Sequence, residues 1–302
     1  LRRGLLLLLA ASLAGCDTGG PPAPVPLPHY VVGEPYQAGG VWRYPREQFA
    51  YRDTGLAILL VREPGAALTA DGEAFDPDAL AAAHRTLQLP ALARVTNLET
   101  GRAVLVRLND RGPAAPGRLI AVTRRAADLL GAAGSAPFRV RVEVLETESR
   151  QLAAALAVAA PLEVAAAPVD TVQAETLAPP AGAAPSGRGL VAAAGPVVPA
   201  APATTAPAAA PARLPEQVWQ TAPSPGALFV ECGSFARPQY AAIMQRRLAA
   251  LGARVSTDPA APRDAAWRVR IGPLRDAAEA DATLDRALAA GVSDARIIVD
   301  DL

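Results

Sequence analysis

The chain contains no lysine: all 29 of its basic side chains are arginines, set against 29 acidic ones. That balance removes the electrostatic case for nucleic acid as a partner. Aromatic residues make up only 4% of the 302, so any core must rest on Val, Leu, Ile and Ala. Two histidines (His29 and His84) and two distant cysteines (Cys16 and Cys232) form no metal-ligand spacing and no disulfide framework. Neither a metal nor a cofactor is expected. Long apolar runs are missing too, since Leu5 to Leu9 and the small residues after them are too short to span a bilayer.

That short run has an order of its own. Arg2 and Arg3 precede it, and Leu13-Ala14-Gly15-Cys16 follows, the pattern of a secretory signal. The last four residues resemble a bacterial lipobox. The resemblance implies lipidation at Cys16, with a new N-terminus there and an acyl anchor at a membrane face. The alternative is an ordinary cleaved signal with an incidental cysteine.

Composition then divides the chain. Residues 1–16 read as the signal and residues 17–51, rich in Pro and Gly, as a flexible tether. Residues 52–146 have globular patterning. Residues 147–225 are dominated by Ala and Pro, which sustain neither helix nor sheet, and read as a disordered linker. As a random coil that linker spans about 50 Å. Residues 226–302 form a second module.

In the first globular region Arg94–Asn97 and Ala103–Leu108 read as a hairpin with Gly101 in its turn. Arg139–Val144 alternates charged and apolar residues, the mark of a strand with one wet face. Thr123 is placed to cap a helix over 124–130 that Gly131 ends. Short strands with a brief helix suggest a compact β-barrel. The second module reads β-α-β-α-β, with strands near Leu228–Val230, Trp267–Ile271 and Arg296–Val299 and an extra one near Ala253–Thr257. Tyr240, Met244, Leu248 and Leu251 keep helical spacing up to Gly252, and Asp276 and Glu279 start a second helix. That order predicts a small α+β sandwich.

Glu73, His84 and Asp110 each lie where an apolar segment meets a Gly or Pro turn, a usual place for functional residues on a rigid scaffold. Taken singly, each has a bland reading: a solvated turn acid, a capping histidine before a helix end, a structural Asp–Arg pair. Their surroundings are more informative. Thr69-Ala70-Asp71-Gly72-Glu73, Ala82-Ala83-His84, Val95-Thr96-Asn97 and Asn109-Asp110-Arg111-Gly112-Pro113 resemble, in order and spacing, the double-psi β-barrel of the RlpA (rare lipoprotein A) family.

The resemblance implies a mainly β barrel that acts as a peptidoglycan lytic transglycosylase. Asp110 would be its catalytic acid, with Glu73 and His84 in support and Asn109 and Arg111 at the substrate. Such enzymes cut the β-1,4 bond between N-acetylmuramic acid and N-acetylglucosamine without water, leaving a 1,6-anhydro end. One carboxyl group can give a proton to the leaving oxygen and then take one from the attacking hydroxyl, so a two-carboxylate hydrolase geometry is unnecessary.

The chain departs from the family at three places. The aromatic Gly-x-Ala-Ser-Trp-Tyr-Gly segment reads Gly55 to Val61 without aromatics, Gly65-Ala66-Ala67 replaces His-Gly-Arg, and Ala121 stands where an Asp is usual.

Phe229–Phe235 and Trp267–Leu274 resemble the two strand motifs of the SPOR domain, a ferredoxin-like α+β fold. That implies binding to septal glycan strands stripped of stem peptides, with Phe235, Arg268 and Arg270 as contacts. By period two, Trp267 shares a face with Val269 and Ile271 and belongs to the core. The expected partners are glycan strands, a membrane through the lipid anchor, and division-site proteins, with the chain at the periplasmic face of the envelope and enriched at the septum. Two alternatives stay open: a binding lipoprotein with a silent, expansin-like barrel, and a true glycoside hydrolase.

Overall fold

The computed structural model describes residues 24–62, 65, 67–132, 134, 137–159, 213–257 and 266–300. The signal segment with Cys16 and most of the expected linker lie outside the described residues.

Six strands close the first domain. They are β3 (Arg52–Leu59), β4 (Ala81–His84), β5 (Ala91–Asn97), β6 (Arg102–Asp110), β7 (Arg118–Val122) and β8 (Phe138–Val144). Their order is β4-β7-β3-β8-β5-β6, and β4 pairs back onto β6. The β3–β7 and β4–β6 pairs are parallel and the other barrel pairs antiparallel. This is the β-barrel that the resemblance implies, mixed in its pairing and closed by β4 on β6. The alternation in β8 works as read: Phe138, Val140, Val142 and Val144 point inward and the residues between them do not. They pack with Val95, Val106, Leu108, Ile120 and Leu130, each buried aliphatic side chain contributing about 1.5–3 kcal/mol. Gly101 turns the β5–β6 hairpin at φ +72, and a Cβ there would lie 2.1 Å from the Thr221 carbonyl oxygen.

Three local expectations are corrected. Ala81–His84 is a strand, so His84 does not precede a helix end; pairing on both sides overrides the helical preference of three alanines. Helix α1 (Arg124–Leu130) ends at left-handed Gly131 as expected, but the Thr123 hydroxyl does not cap it. It donates instead to the Ala79 carbonyl at 2.6 Å, tying the helix start to the loop before β4. The segment read as a tether also has structure. Leu27 N–H donates to Gly72 O and His29 N–H to Asp71 O, both at 2.9 Å, and Val31 bridges to Leu89. β1 (Tyr36–Ala38) and β2 (Val41–Arg43) then form a hairpin.

The region read as linker begins with α2 (Glu146–Ala159), where Ser149 Oγ bonds both backbone groups of Leu92. It ends with β9 (Val218–Gln220), which adds to β6.

The C-terminal domain is a four-stranded antiparallel sheet in the order β11-β12-β10-β13. Its elements are β10 (Ala227–Phe235), α3 (Pro238–Arg247), β11 (Arg254–Thr257), β12 (Trp267–Leu274), α4 (Ala277–Ala289) and β13 (Arg296–Asp300). Asp276 accepts from the Glu279 N–H at 2.8 Å and starts α4, as the sequence predicts. Val230, Val269 and Ile271 pack under the helices against Ala241 and Leu284, with Trp267 half-buried beside them. Leu56 and Leu98 of the barrel complete this second core, so the two domains meet in a shared apolar contact.

Candidate active site

The loop between β3 and β4 brings the acids together. Gly72, at φ +81, makes its turn; a Cβ there would lie 2.3 Å from the Leu27 carbonyl oxygen. The Thr69 N–H donates to Glu73 O at 2.8 Å, and the Thr69 hydroxyl donates to Asp71 Oδ1 at 2.6 Å. The end of β6 lies alongside. Asn109 Nδ2 donates to Glu73 Oε2 at 2.9 Å, and Arg107, two residues earlier on the strand, pairs with Glu73 Oε1. Glu73 is 2% exposed, and both of its oxygens are engaged by β6.

Asp110 sits one residue further along. Its Oδ1 accepts from the Ala70 N–H at 3.0 Å and from the Arg111 N–H at 2.9 Å. Its Oδ2 faces Arg62 Nη1 at 3.3 Å. The fold therefore joins Asp110 to the loop that carries Glu73, through Ala70 on one side and Asn109 on the other. These three sequence candidates form one cluster.

His84 is not part of it. Its Nδ1 accepts from the N–H groups of Thr86 and Leu87 at 3.3 and 3.2 Å. Those bonds assign the proton to Nε2, which donates to the Tyr51 hydroxyl oxygen at 3.2 Å. The two rings meet edge-on, 5.2 Å between centres. Burial, then the cations Arg85 and Arg111, push His84 down to about 3, so the imidazole is neutral at physiological pH. Tyr51 is raised above its ordinary value by burial and then by Asp53.

Arg111 is turned inward. Its two terminal nitrogens donate to the carbonyls of Leu87 and Val32, which braces the N-terminal segment against the barrel instead of presenting a guanidinium to solvent.

Four residues of this region were not singled out from the sequence. Asp71 is fully buried, and its Oδ2 has no hydrogen-bond partner among the described residues. Burial, then the neighbouring Glu73 carboxylate, push it up to about 7. In sequence it looks like an ordinary turn acid before Gly72. Arg62, whose guanidinium lies 4.8 Å from the centre of the Phe75 ring, had no signal beyond its charge. Arg107 is half-buried on β6, between the core residues Val106 and Leu108, and the sequence offered no cue to its pairing with Glu73. Tyr51 precedes β3 and gave none.

In the C-terminal domain, Arg270 Nε lies 3.6 Å and Arg268 Nη1 3.9 Å from Glu231 Oε2, while Arg270 Nη1 lies 3.1 Å from Asp300. Arg296 donates to Glu231 Oε1 at 2.8 Å. Both arginines named from the sequence thus converge on one buried carboxylate. Phe235 is half-buried against the domain core. Cys232 is buried, and burial pushes its thiol up to about 11.

Residues 52–142 match a family described as lytic transglycolase, and residues 224–297 match the SPOR domain. An endolytic peptidoglycan transglycosylase RlpA from Pseudomonas aeruginosa (strain UCBPP-PA14) is 33% identical over 282 residues, covering 87% of this chain and 76% of that protein. A protein of the same description from Escherichia coli (strain K12) is 43% identical over 110 residues, 36% of this chain and 30% of its own length. Another, from Vibrio cholerae, is 32% identical over 167 residues, 48% of this chain and 64% of its own.

Proposed function

The chain belongs to the RlpA family of endolytic peptidoglycan transglycosylases, and on that premise we propose that Asp110 is the group that moves the proton during strand cleavage. The protein is a lytic transglycosylase of the cell envelope that carries a peptidoglycan-binding SPOR domain. The observation that supports the Asp110 assignment is its placement. It has one oxygen held by two backbone N–H groups and the other toward Arg62, beside a Glu73 whose oxygens are both occupied.

In the proposed cycle Asp110 Oδ2 protonates the glycosidic oxygen as the bond from muramic acid C1 breaks. The C6 hydroxyl of the same sugar attacks C1, and its proton passes to the Asp110 carboxylate, restoring the acid. The products are a 1,6-anhydro end and a free hydroxyl, and no water is consumed. Glu73 acts through Asn109 and Arg107 as the brace of β6, and neutral His84 positions the β4 edge through Tyr51. Arg62 must leave Oδ2 as the strand enters. The finer localisation we propose is a lipid anchor at Cys16, supported by the lipobox-like Leu13-Ala14-Gly15-Cys16, and enrichment at the septum through residues 226–302, with division-site proteins as neighbours.

Mass spectrometry of sacculi and peptide-free strands digested with the wild type and with Asp110→Asn tests this. Anhydro ends from the wild type alone support it. Equal products from both overturn the assignment of Asp110. Reducing ends in place of anhydro ends would mean hydrolysis, and strand binding with no product would mean a silent barrel.

A further inference from the structure

The barrel and the C-terminal domain enclose a cavity that neither forms alone. β13 runs against β3, where the Thr54 hydroxyl donates to the Val299 carbonyl. Arg118 grips Asp281 with two bonds of 2.6 and 2.7 Å, and Arg296 reaches from β13 to Asp53 on β3. Gly117 permits the close approach: a Cβ there would lie 2.7 Å from both Ile297 and Leu284. Beside these contacts lies a space of about 220 Å³, bounded by Arg43, Tyr51, His84 and Arg85 of the barrel and by Ser293 and Arg296 of the C-terminal domain, with Asp53 and Asp294 also in its wall.

The charge in this cavity is unbalanced. Arg118 and Arg296 have carboxylate partners, but among the described residues Arg43 and Arg85 meet none. Arg85 donates to two backbone carbonyls, those of Pro113 (at 2.7 Å) and Ala115. The Nε of Arg43 is buried without a hydrogen-bond partner among the described residues. Burial, then the charge of Arg43, push Arg85 down to about 10. Arg43 and Arg85 set two guanidiniums against the one carboxylate of Asp294 in the same wall, a positive surplus that favours an incoming anion, and a planar guanidinium matches a carboxylate. The volume is below the roughly 300 Å³ at which pockets take a whole small ligand, so it admits one group of a larger one.

We infer that this junction cavity is a carboxylate subsite for peptidoglycan, with Arg43 and Arg85 as its ligands and the C-terminal domain as its wall. The inference rests on the glycan-cleaving reading above for the identity of the polymer. Peptidoglycan offers this chemistry from two sources: the lactyl group of a muramic acid without its peptide, and the acidic groups of the stem peptide. Either would place the strand across the junction, with His84 and Tyr51 on the barrel side of the subsite. The SPOR sheet then acts with the barrel in holding the strand, in addition to recruiting the chain.

The test is binding by fluorescence anisotropy with the full chain in an Asp110→Asn background, so that no strand is cut. Labelled peptide-free strands are compared with the same strands after conversion of their carboxylates to methylamides, and free stem peptide is added as competitor. The expected result is about tenfold tighter binding of the carboxylate form, the size of a charge-assisted hydrogen bond, with Arg43→Gln removing that preference. Arg43 is on the β2 hairpin, so this variant leaves untouched the loop that Arg85 braces; Arg85→Gln is the second variant. Competition by stem peptide in the parent but not in Arg43→Gln assigns the carboxylate to the peptide and keeps the subsite. Equal binding of both strand forms by the parent, or a full preference retained in both variants, overturns it. Because turnover is not read, failure here is separate from failure of the Asp110 assignment.

Discussion

Arg62 and Asp110 face each other at 3.3 Å, with the guanidinium of Arg62 lying over the ring of Phe75. The pair occupies the one oxygen of Asp110 that no backbone group holds. Proton transfer to a glycosidic oxygen requires that position, so the pair opposes the reaction by the free energy needed to part it. The two side chains are only 15% and 12% exposed, but Arg62 Nη1 makes no hydrogen bond among the described residues, and such a loose pair is worth on the order of 1 kcal/mol. Arg62→Gln is therefore expected to raise kcat/KM on peptide-free strands two- to fivefold, with the melting temperature little changed. A steady-state assay of anhydro-end release reads this directly, and a fall of tenfold would assign Arg62 to strand binding instead.

Asp71 and His84 give stability two opposed dependences on pH. Asp71 has an ordinary value of 3.8 and is pushed up to about 7 in the fold, so between these limits the native state keeps a proton that the unfolded chain has lost. Stability from this group is present below about pH 4 and declines as pH rises to about 7. His84 goes the other way: its ordinary 6.5 falls to about 3, so acidification below 6.5 charges the unfolded chain first and lowers stability. The two slopes cancel between about pH 4 and 6.5. Asp71→Asn removes one of them. Its gain over the wild type should be larger at pH 7.5 than at pH 5, with a melting point higher by roughly 5 °C at the upper pH. Its own stability should fall steadily below pH 6.5. Urea unfolding at the two pH values decides this, and a gain of the same size at both would show that Asp71 is not protonated in the fold.

Arg111 ties the N-terminal segment to the barrel through the carbonyls of Val32 and Leu87. Residues 27–31 follow the loop that carries Asp71 and Gly72, so this segment roofs the site. Arg111→Gln removes both bonds, each worth about 1.5–3 kcal/mol for a charged donor. Amide exchange in residues 27–43 should accelerate by tenfold or more, while β5 and β8 keep their protection. Unchanged exchange in the segment would mean that the pairing with Asp71, Gly72 and Leu89 holds it without help.

The parts of the fold that could be read from the sequence are those whose signal is local. The β5–β6 hairpin has Gly101 between two β-type runs, β8 alternates residue by residue, and Asp276 with Glu279 marks the start of α4. β4 could not be read this way, because Ala81-Ala82-Ala83 favours a helix in isolation and becomes a strand through its partners β6 and β7. The site divides along the same line. Glu73, Asn109 and Asp110 were found by motif, and the structure joins them. Tyr51, Arg62 and Asp71 matter through contacts that only the closed barrel creates. The docking of the two domains was wholly hidden, since Arg118 pairs with a residue 163 positions away and Arg296 with one 243 positions away. An Ala/Pro-rich stretch between them reads as separation whichever way its ends are held.

That docking can be probed at one residue. Gly117 combines φ +68 with a Cβ position 2.7 Å from the side chains of Ile297 and Leu284. A valine there is strained in its backbone and collides with the C-terminal domain, so both effects act at the junction and neither touches Glu73 or Asp110. Gly117→Val should part the domains while each keeps its own core. In solution scattering the radius of gyration should rise, and two thermal transitions should replace a shared one. Asp281→Asn, which weakens the same junction through Arg118 without backbone strain, should move both readouts in the same direction by less. If Gly117→Val instead unfolds the barrel, Asp281→Asn still reports on docking. If neither variant changes the scattering profile, the contacts of Arg118 and Arg296 do not hold the domains together in solution.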